Sequence, residues 1–284
     1  MIKRTDAVRI KELDGFHSIV PYVMPKRTEA EVSSFEKFDV TDLVAYMKKH
    51  NEEDGTNLKL FHAICTAAAR TIYLRPKMNI FIAGRRFWQR KDITLSFVVK
   101  RTFNDVAEES LMTLKVDPDM TFSSISKKIL GDVDEVRRES GNELGKTMDF
   151  VGKLPRCILV VLFGFLRLLE YFGVMPKSLM KGDPNYSTVL LSNLGSIGAG
   201  APYHHLSNYG TCSIMVTIGT MHPETCRMPD GTEQERSIVD LTLTLDERIA
   251  DGFYFAKSLR ITKYLLEHPE SLEETISTPV PVAL

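Results

Sequence analysis

Hydrophobic positions along the chain follow two periods, and each change of period marks a change of element. Over residues 60–75, Phe61, Ile64, Ala68 and Ile72 recur at helical spacing, and Pro76 stops the run. A second amphipathic stretch, 122–139, keeps Phe122, Ile125, Ile129, Val133 and Val136 on one stripe. Between these helices the pattern shortens. Residues 80–83 and 87–89 read as the arms of a hairpin turning at Gly84 and Arg85, and 93–100 continue as a strand. Further strands are expected at 35–40, 189–191 and 213–218. Thr41 reads as the cap of a helix carrying Leu43, Val44 and Met47, which Asp54-Gly55 ends. Residues 157–174 form a more apolar helix interrupted by Arg167 and Glu170. Its unbroken apolar part, 157–166, is too short for a bilayer span of roughly 20 residues, so a buried or subunit-facing helix is expected.

The clearest alternation lies near the C-terminus. Leu241, Leu243 and Leu245 share one face of a strand, with Thr242 and Thr244 on the other. If the strand runs two residues further, parity carries Glu247 onto the leucine face. A carboxylate turned inward needs a partner, a proton or a task. Asp251-Gly252 then supply turn chemistry, and 253–267 read as a helix. Residues 1–34 are polar and broken by Asp14-Gly15, Pro21 and Pro25, so they read as a leading arm over a domain spanning 35–284.

Charge and cysteine usage narrow the function classes. The net charge of −1, from 36 basic and 37 acidic residues, gives no polybasic signal for nucleic acid or for an anionic membrane. Cys65, Cys157, Cys212 and Cys226 have neither metal-ligand spacing nor the density of a disulfide scaffold. No apolar core follows Lys3, Arg4 and Asp6, so a cytoplasmic location is expected. No phosphate-binding glycine loop, His-Glu-x-x-His or Cys-x-x-Cys is present, and no metal is expected.

Two short blocks carry the candidate chemistry. Ser192-Asn193-Leu194-Gly195-Ser196-Ile197-Gly198 follows a strand, and Asp246-Glu247-Arg248-Ile249-Ala250-Asp251-Gly252 follows another about 55 residues later. On their own, the serine and glycines are also ordinary turn formers. Together the blocks resemble the chloramphenicol acetyltransferase-like superfamily, and most closely the catalytic domain of dihydrolipoyl acyltransferases from 2-oxoacid dehydrogenase complexes. That family's C-terminal signature reads Asp-His-Arg, two apolar residues, Asp or Asn, then Gly. The frame here matches it except at the histidine, where Glu247 stands. Pro76 and Asn79 match the family's Pro-x-x-Asn step before its hairpin, whereas its Gly-Leu-Ile-x-Pro-Val run has no counterpart in 101–120.

The resemblance implies an α/β fold, a mixed-sheet sandwich with flanking helices, assembled as a homotrimer with the active site between subunits. It implies acyl transfer from a coenzyme A thioester to a small acceptor or a separate acyl carrier. Ser192 would donate to the tetrahedral oxyanion, a contribution of a few kcal/mol. Asn193, Gly195 and Gly198 would approach the coenzyme. Asp251 would orient the strand end, with Arg248 and Gly252 as structural support. Glu247 would then act as general base, provided burial raises its pKa from near 4.3 toward 6 or 7. Two alternatives stay open. The chain is an inactive homologue serving binding or assembly, or His204 or His205, in the loop after Ser192, supplies the base. His62 reads as a helix residue, and His17, His50, His222 and His268 have no elevating context. No lipoyl or peripheral-subunit-binding domain is expected, and no covalently bound lipoyl group.

Overall fold

The computed structural model describes residues 4–100, 109–138 and 150–282. Its strands are β1 (Ala7–Arg9), β2 (Glu31–Asp39), β3 (Ile80–Ala83), β4 (Arg86–Arg90) and β5 (Ile93–Lys100), then β6 (Glu109–Val116), β7 (Val189–Asn193), β8 (Ile214–Ile218), β9 (His222–Arg227) and β10 (Glu233–Asp246). Its helices are α1 (Gly15–Val23), α2 (Thr41–Glu53), α3 (Leu60–Leu74), α4 (Phe122–Arg138), α5 (Arg156–Phe172), α6 (Lys177–Met180) and α7 (Gly252–Glu267). The principal sheet runs β2-β10-β8-β7-β5-β6, with β9 pairing the first half of β10. It is mixed: β5, β7 and β8 are parallel, while β2, β10 and β6 pair antiparallel to their neighbours. A small antiparallel sheet, β1-β4-β3, stands beside it.

One face of the principal sheet is apolar because its alternating residues are. Val189, Ile214, Val216, Leu241 and Leu245 meet Ile64 and Ile72 of α3 and Phe255 of α7, and all are buried. Each such side chain contributes about 1.5–3 kcal/mol on burial. α3 is buried over most of its length, and α7 packs directly against it. The other face is lined by hydroxyls, several of which bond one another or the chain covering them, while Thr217 Oγ1 has no partner among the described residues. Ser96 and Thr113 hydroxyls lie 2.7 Å apart, Ser33 and Thr244 3.2 Å apart, and Thr242 donates to the Pro202 carbonyl at 2.7 Å.

Several elements depart from the sequence pattern for identifiable reasons. Residues 4–30 are not irregular: β1 pairs with β4, and α1 is capped by Asp14, which accepts from the His17 backbone N–H. A three-residue strand and a helix containing Pro21 show too little periodicity to read. The α2 start is held by the Asp39 carboxylate, which accepts from both the backbone and the hydroxyl of Thr41, so Thr41 is not itself the cap. β10 begins eight residues before Leu241, where charged residues hide its period. α5 buries none of its residues within the chain. The expected burial within the chain is therefore not found. Glu139, at the expected end of α4, lies outside the described residues.

Candidate active site

Ser192 stands near the end of β7, half-buried, on the hydroxyl-bearing face away from α3 and α7. After Asn193 the chain turns sharply. Leu194 N–H donates to the Ile218 carbonyl, and Ser196 Oγ donates to the Asn193 carbonyl at 2.8 Å. This turn requires its glycines. A Cβ on Gly195 would lie 2.3 Å from the Gly219 carbonyl oxygen, and Gly198 has a φ of +76°. Asn193 is half-buried beside Ser192, and Gly198 is exposed. The block is thus a rigid strand end with an accessible backbone rim.

At the second block, the sheet ends one residue earlier than parity required. β10 stops at Asp246, which shares the Thr242 and Thr244 face, and Glu247 opens a turn with its side chain exposed. The inward carboxylate is therefore Asp246, not Glu247. Asp246 is fully buried and accepts from Arg248 Nε at 2.8 Å and Arg248 Nη2 at 2.7 Å, while Arg27 Nε lies 3.7 Å away. Arg248 Nη1 also donates to the Met24 carbonyl, tying the turn to the end of α1. Glu247 is fixed only through its backbone, whose N–H donates to the Ala30 carbonyl at 2.8 Å. Asp251 is exposed and caps α7, accepting from the Tyr254 N–H at 2.7 Å. Within this chain its role is that of a cap, and Gly252 is the first residue of the helix.

The register decides whether the blocks meet. Ser192 pairs across β8 with Thr217, and Thr217 with Thr242. Glu247 lies five residues further along from Thr242, which with two strand spacings puts it roughly 19 Å from Ser192. One chain does not bring these residues together.

The loop carrying His204 and His205 spans this gap. It is anchored at Pro202 by Thr242 and at Leu206, whose N–H donates to Glu31 Oε2 at 2.9 Å. Both histidines are exposed, with ring centroids 5.1 Å apart, and His204 Nδ1 approaches the His205 carbonyl at 3.0 Å. His62 is instead buried in α3. Its Nδ1 sits 2.7 Å from Ser126 Oγ, and burial pulls its pKa down to about 4. The sequence reading named Arg248 as support but missed Arg27 and Arg90, and all three are buried near the Glu247 turn and the 207–212 segment. Burial lowers Arg90 to about 10. The spacing of Arg27 and Arg90 carries no signal, since each is satisfied by carbonyls distant in sequence. Among the described residues, no group of three His, Cys, Asp or Glu side chains is placed to hold a metal ion, and no helix is long and apolar enough to cross a membrane.

Residues 175–273 match the model of the 2-oxoacid dehydrogenases acyltransferase (catalytic domain) family, a span that contains both blocks. The mixed sheet is also that of chloramphenicol acetyltransferase: a solved structure of that name aligns with a TM-score of 0.55 at 11% identity, over 92% of this chain and 99% of that one. The chain shares the chloramphenicol acetyltransferase-like fold. By sequence, the chain is similar to the lipoamide acyltransferase component of a branched-chain alpha-keto acid dehydrogenase complex from Bacillus subtilis (strain 168), 26% identical over 261 residues. That alignment takes in 89% of this chain and 50% of the relative, so the chain spans about half the relative's length. A dihydrolipoamide acetyltransferase from Azotobacter vinelandii aligns with a TM-score of 0.60 at 16% identity, covering 93% of each chain. That structure was determined to examine a serine, a histidine and an asparagine in its catalytic mechanism.

Proposed function

We propose that the protein transfers an acyl group from a coenzyme A thioester to a small acceptor, at a site completed only when Ser192 of one copy faces Glu247 of another. The observation that carries this reading is the placement of the two blocks. Both lie within the span matching the acyltransferase catalytic domain, yet at opposite ends of the sheet, roughly 19 Å apart. Juxtaposing them needs a second subunit, and a homotrimer is the assembly the superfamily resemblance suggests.

In this reading the coenzyme's reactive end passes the Gly195–Gly198 rim with Asn193 beside it, and the Ser192 hydroxyl donates to the oxyanion. Glu247 occupies the place taken by the histidine in the relatives' signature. It takes a proton from the attacking group and later returns it to the leaving thiolate. The histidine and asparagine named for the Azotobacter enzyme are four positions apart, as Glu247 and Asp251 are. Burial of the Glu247 carboxylate would come from the neighbouring subunit. An acceptor on a separate carrier protein is compatible with the same geometry.

A second reading, an inactive homologue retained for binding or assembly, rests on the exposure of Glu247, which forms no ion pair among the described residues. Thiol release from acetyl-CoA, measured with a panel of alcohol, amine and thiol acceptors, separates the two. Acyl transfer requires release by the wild type and a fall of about 10²–10³-fold in Ser192→Ala, the loss typical of one oxyanion donor. Glu247→Gln falls likewise. Silence of the wild type across the panel, with transfer gained by Glu247→His, favours the inactive homologue.

A further inference from the structure

Beneath α5 lies a cavity of about 280 Å³ that neither block explains. It is walled by α5, the Gly84-Arg85 hairpin turn, the segment following α1 and the loop at Asn208–Gly210. Its wall is cationic: Lys26, Arg27, Arg85, Arg167 and Arg248 line it, against the single carboxylate of Glu170. The carboxylate behind the wall, Asp246, serves two of those guanidinium groups at once.

Three buried polar atoms have no hydrogen-bond partner among the described residues and belong to side chains lining this cavity: Arg27 Nε, Tyr186 Oη and Glu170 Oε2. Arg27 is 5% exposed and Tyr186 8%. The rest of each group is spoken for. Arg27 donates to the carbonyls of Ser207 and Gly210, and the other oxygen of Glu170 accepts from Arg4. Buried groups left in this state are rare and costly. Arg27 Nε faces Asp246 at 3.7 Å, which leaves the Tyr186 hydroxyl as donor and Glu170 Oε2 as acceptor beside a positive wall. A molecule that accepts from Tyr186, donates to Glu170 and is drawn by that wall carries negative charge and also a hydroxyl or similar donor.

We propose that this cavity binds a small hydroxylated organic anion, its charge accepting from Tyr186 within the field of the cationic wall and its hydroxyl donating to Glu170. Arg85 and Arg167, both exposed at the rim, draw the anion in. Burial raises the pKa of the Tyr186 phenol, so it remains a donor through the neutral range. The volume admits roughly ten non-hydrogen atoms, which suits a hydroxy carboxylate or the phosphate ester of a small polyol. The inference stands apart from acyl transfer, since none of the three unpartnered atoms belongs to Ser192, Glu247 or Asp251.

Isothermal titration calorimetry of the full chain with lactate, glycerol 3-phosphate and glycerol, at constant ionic strength, tests it. Saturable binding of at least one anion and none of glycerol is expected, and the anion that binds identifies the head group as carboxylate or phosphate. Tyr186→Phe weakens that binding about five-fold by loss of one hydrogen bond. Arg167→Glu and Arg85→Glu, at exposed positions where folding is not at stake, weaken it about ten-fold each. Absence of saturable binding by both anions overturns the proposal. So does binding that persists unchanged in the two rim variants.

Discussion

Asp246 concentrates the physics of the site in one side chain. Fully buried, it is stable only because Arg248 grips both its oxygens and Arg27 stands close by. Asp246→Asn leaves two buried guanidinium groups without their counter-charge, and a loss of about 3–5 kcal/mol is expected in urea denaturation. A loss below about 1 kcal/mol would mean that the carbonyls of Met24, Ser207 and Gly210 suffice. The sequence showed that an acid should turn inward here and misplaced it by one residue. Alternation gives the parity of a strand but not the residue at which it stops. The partner Arg27 lies more than 200 positions earlier, on a turn whose form depends on packing against the 207–210 segment. Ser192 and the glycines after it were legible, because a close backbone approach such as Gly195 to Gly219 leaves a composition that tertiary context cannot disguise.

At the scale of elements, α3 was read almost to the residue because both its period and its stop, Pro76, are local. What α3 hides is His62, whose burial against Ser126 holds it neutral. Its pKa falls from an ordinary 6.5 to about 4 on folding. Between those values the unfolded chain binds a proton that the native chain refuses, so stability drops as pH falls from about 7 to 4. The contribution is about 3 kcal/mol, fully present above pH 7. His62→Gln should flatten that part of the urea midpoint against pH, and an unchanged slope would place the loss elsewhere. For α7, removing the cap with Asp251→Ala should cost about 1 kcal/mol. Because Asp251 also belongs to the proposed site, an activity loss far beyond what that destabilisation explains would mark a role past capping. β1 and α1 were illegible for the opposite reason to α3: β1 is held by pairing with β4, and α1 by His17 against Phe87 and by Arg248 at the Met24 carbonyl, not by their own patterns.

As a whole molecule the chain is unfinished in two respects. α5 exposes Val161 at 72%, Phe165 at 55% and Leu168 at 52%, an apolar surface of a kind that marks an interface. The two blocks of the proposed site, meanwhile, sit at opposite ends of the sheet. Analytical ultracentrifugation should find a closed oligomer at micromolar concentration, and a stable monomer would remove the basis for a shared site. The fold class was legible from strand and helix patterns together with two short motifs. The placement of the two blocks at opposite ends of the sheet was not legible from the pattern, because periodicity is blind to the end on which a strand finishes, and the expectation of a site between subunits came from the family resemblance alone.

Co-expression of Ser192→Ala with Glu247→Gln, purified as mixed oligomers, is the most direct test. Each variant alone should be nearly silent in thiol release. In random trimers, about a quarter of the sites join an intact serine to an intact glutamate, so about a quarter of wild-type activity should return. Mixed oligomers as silent as either parent would contradict a site shared between chains.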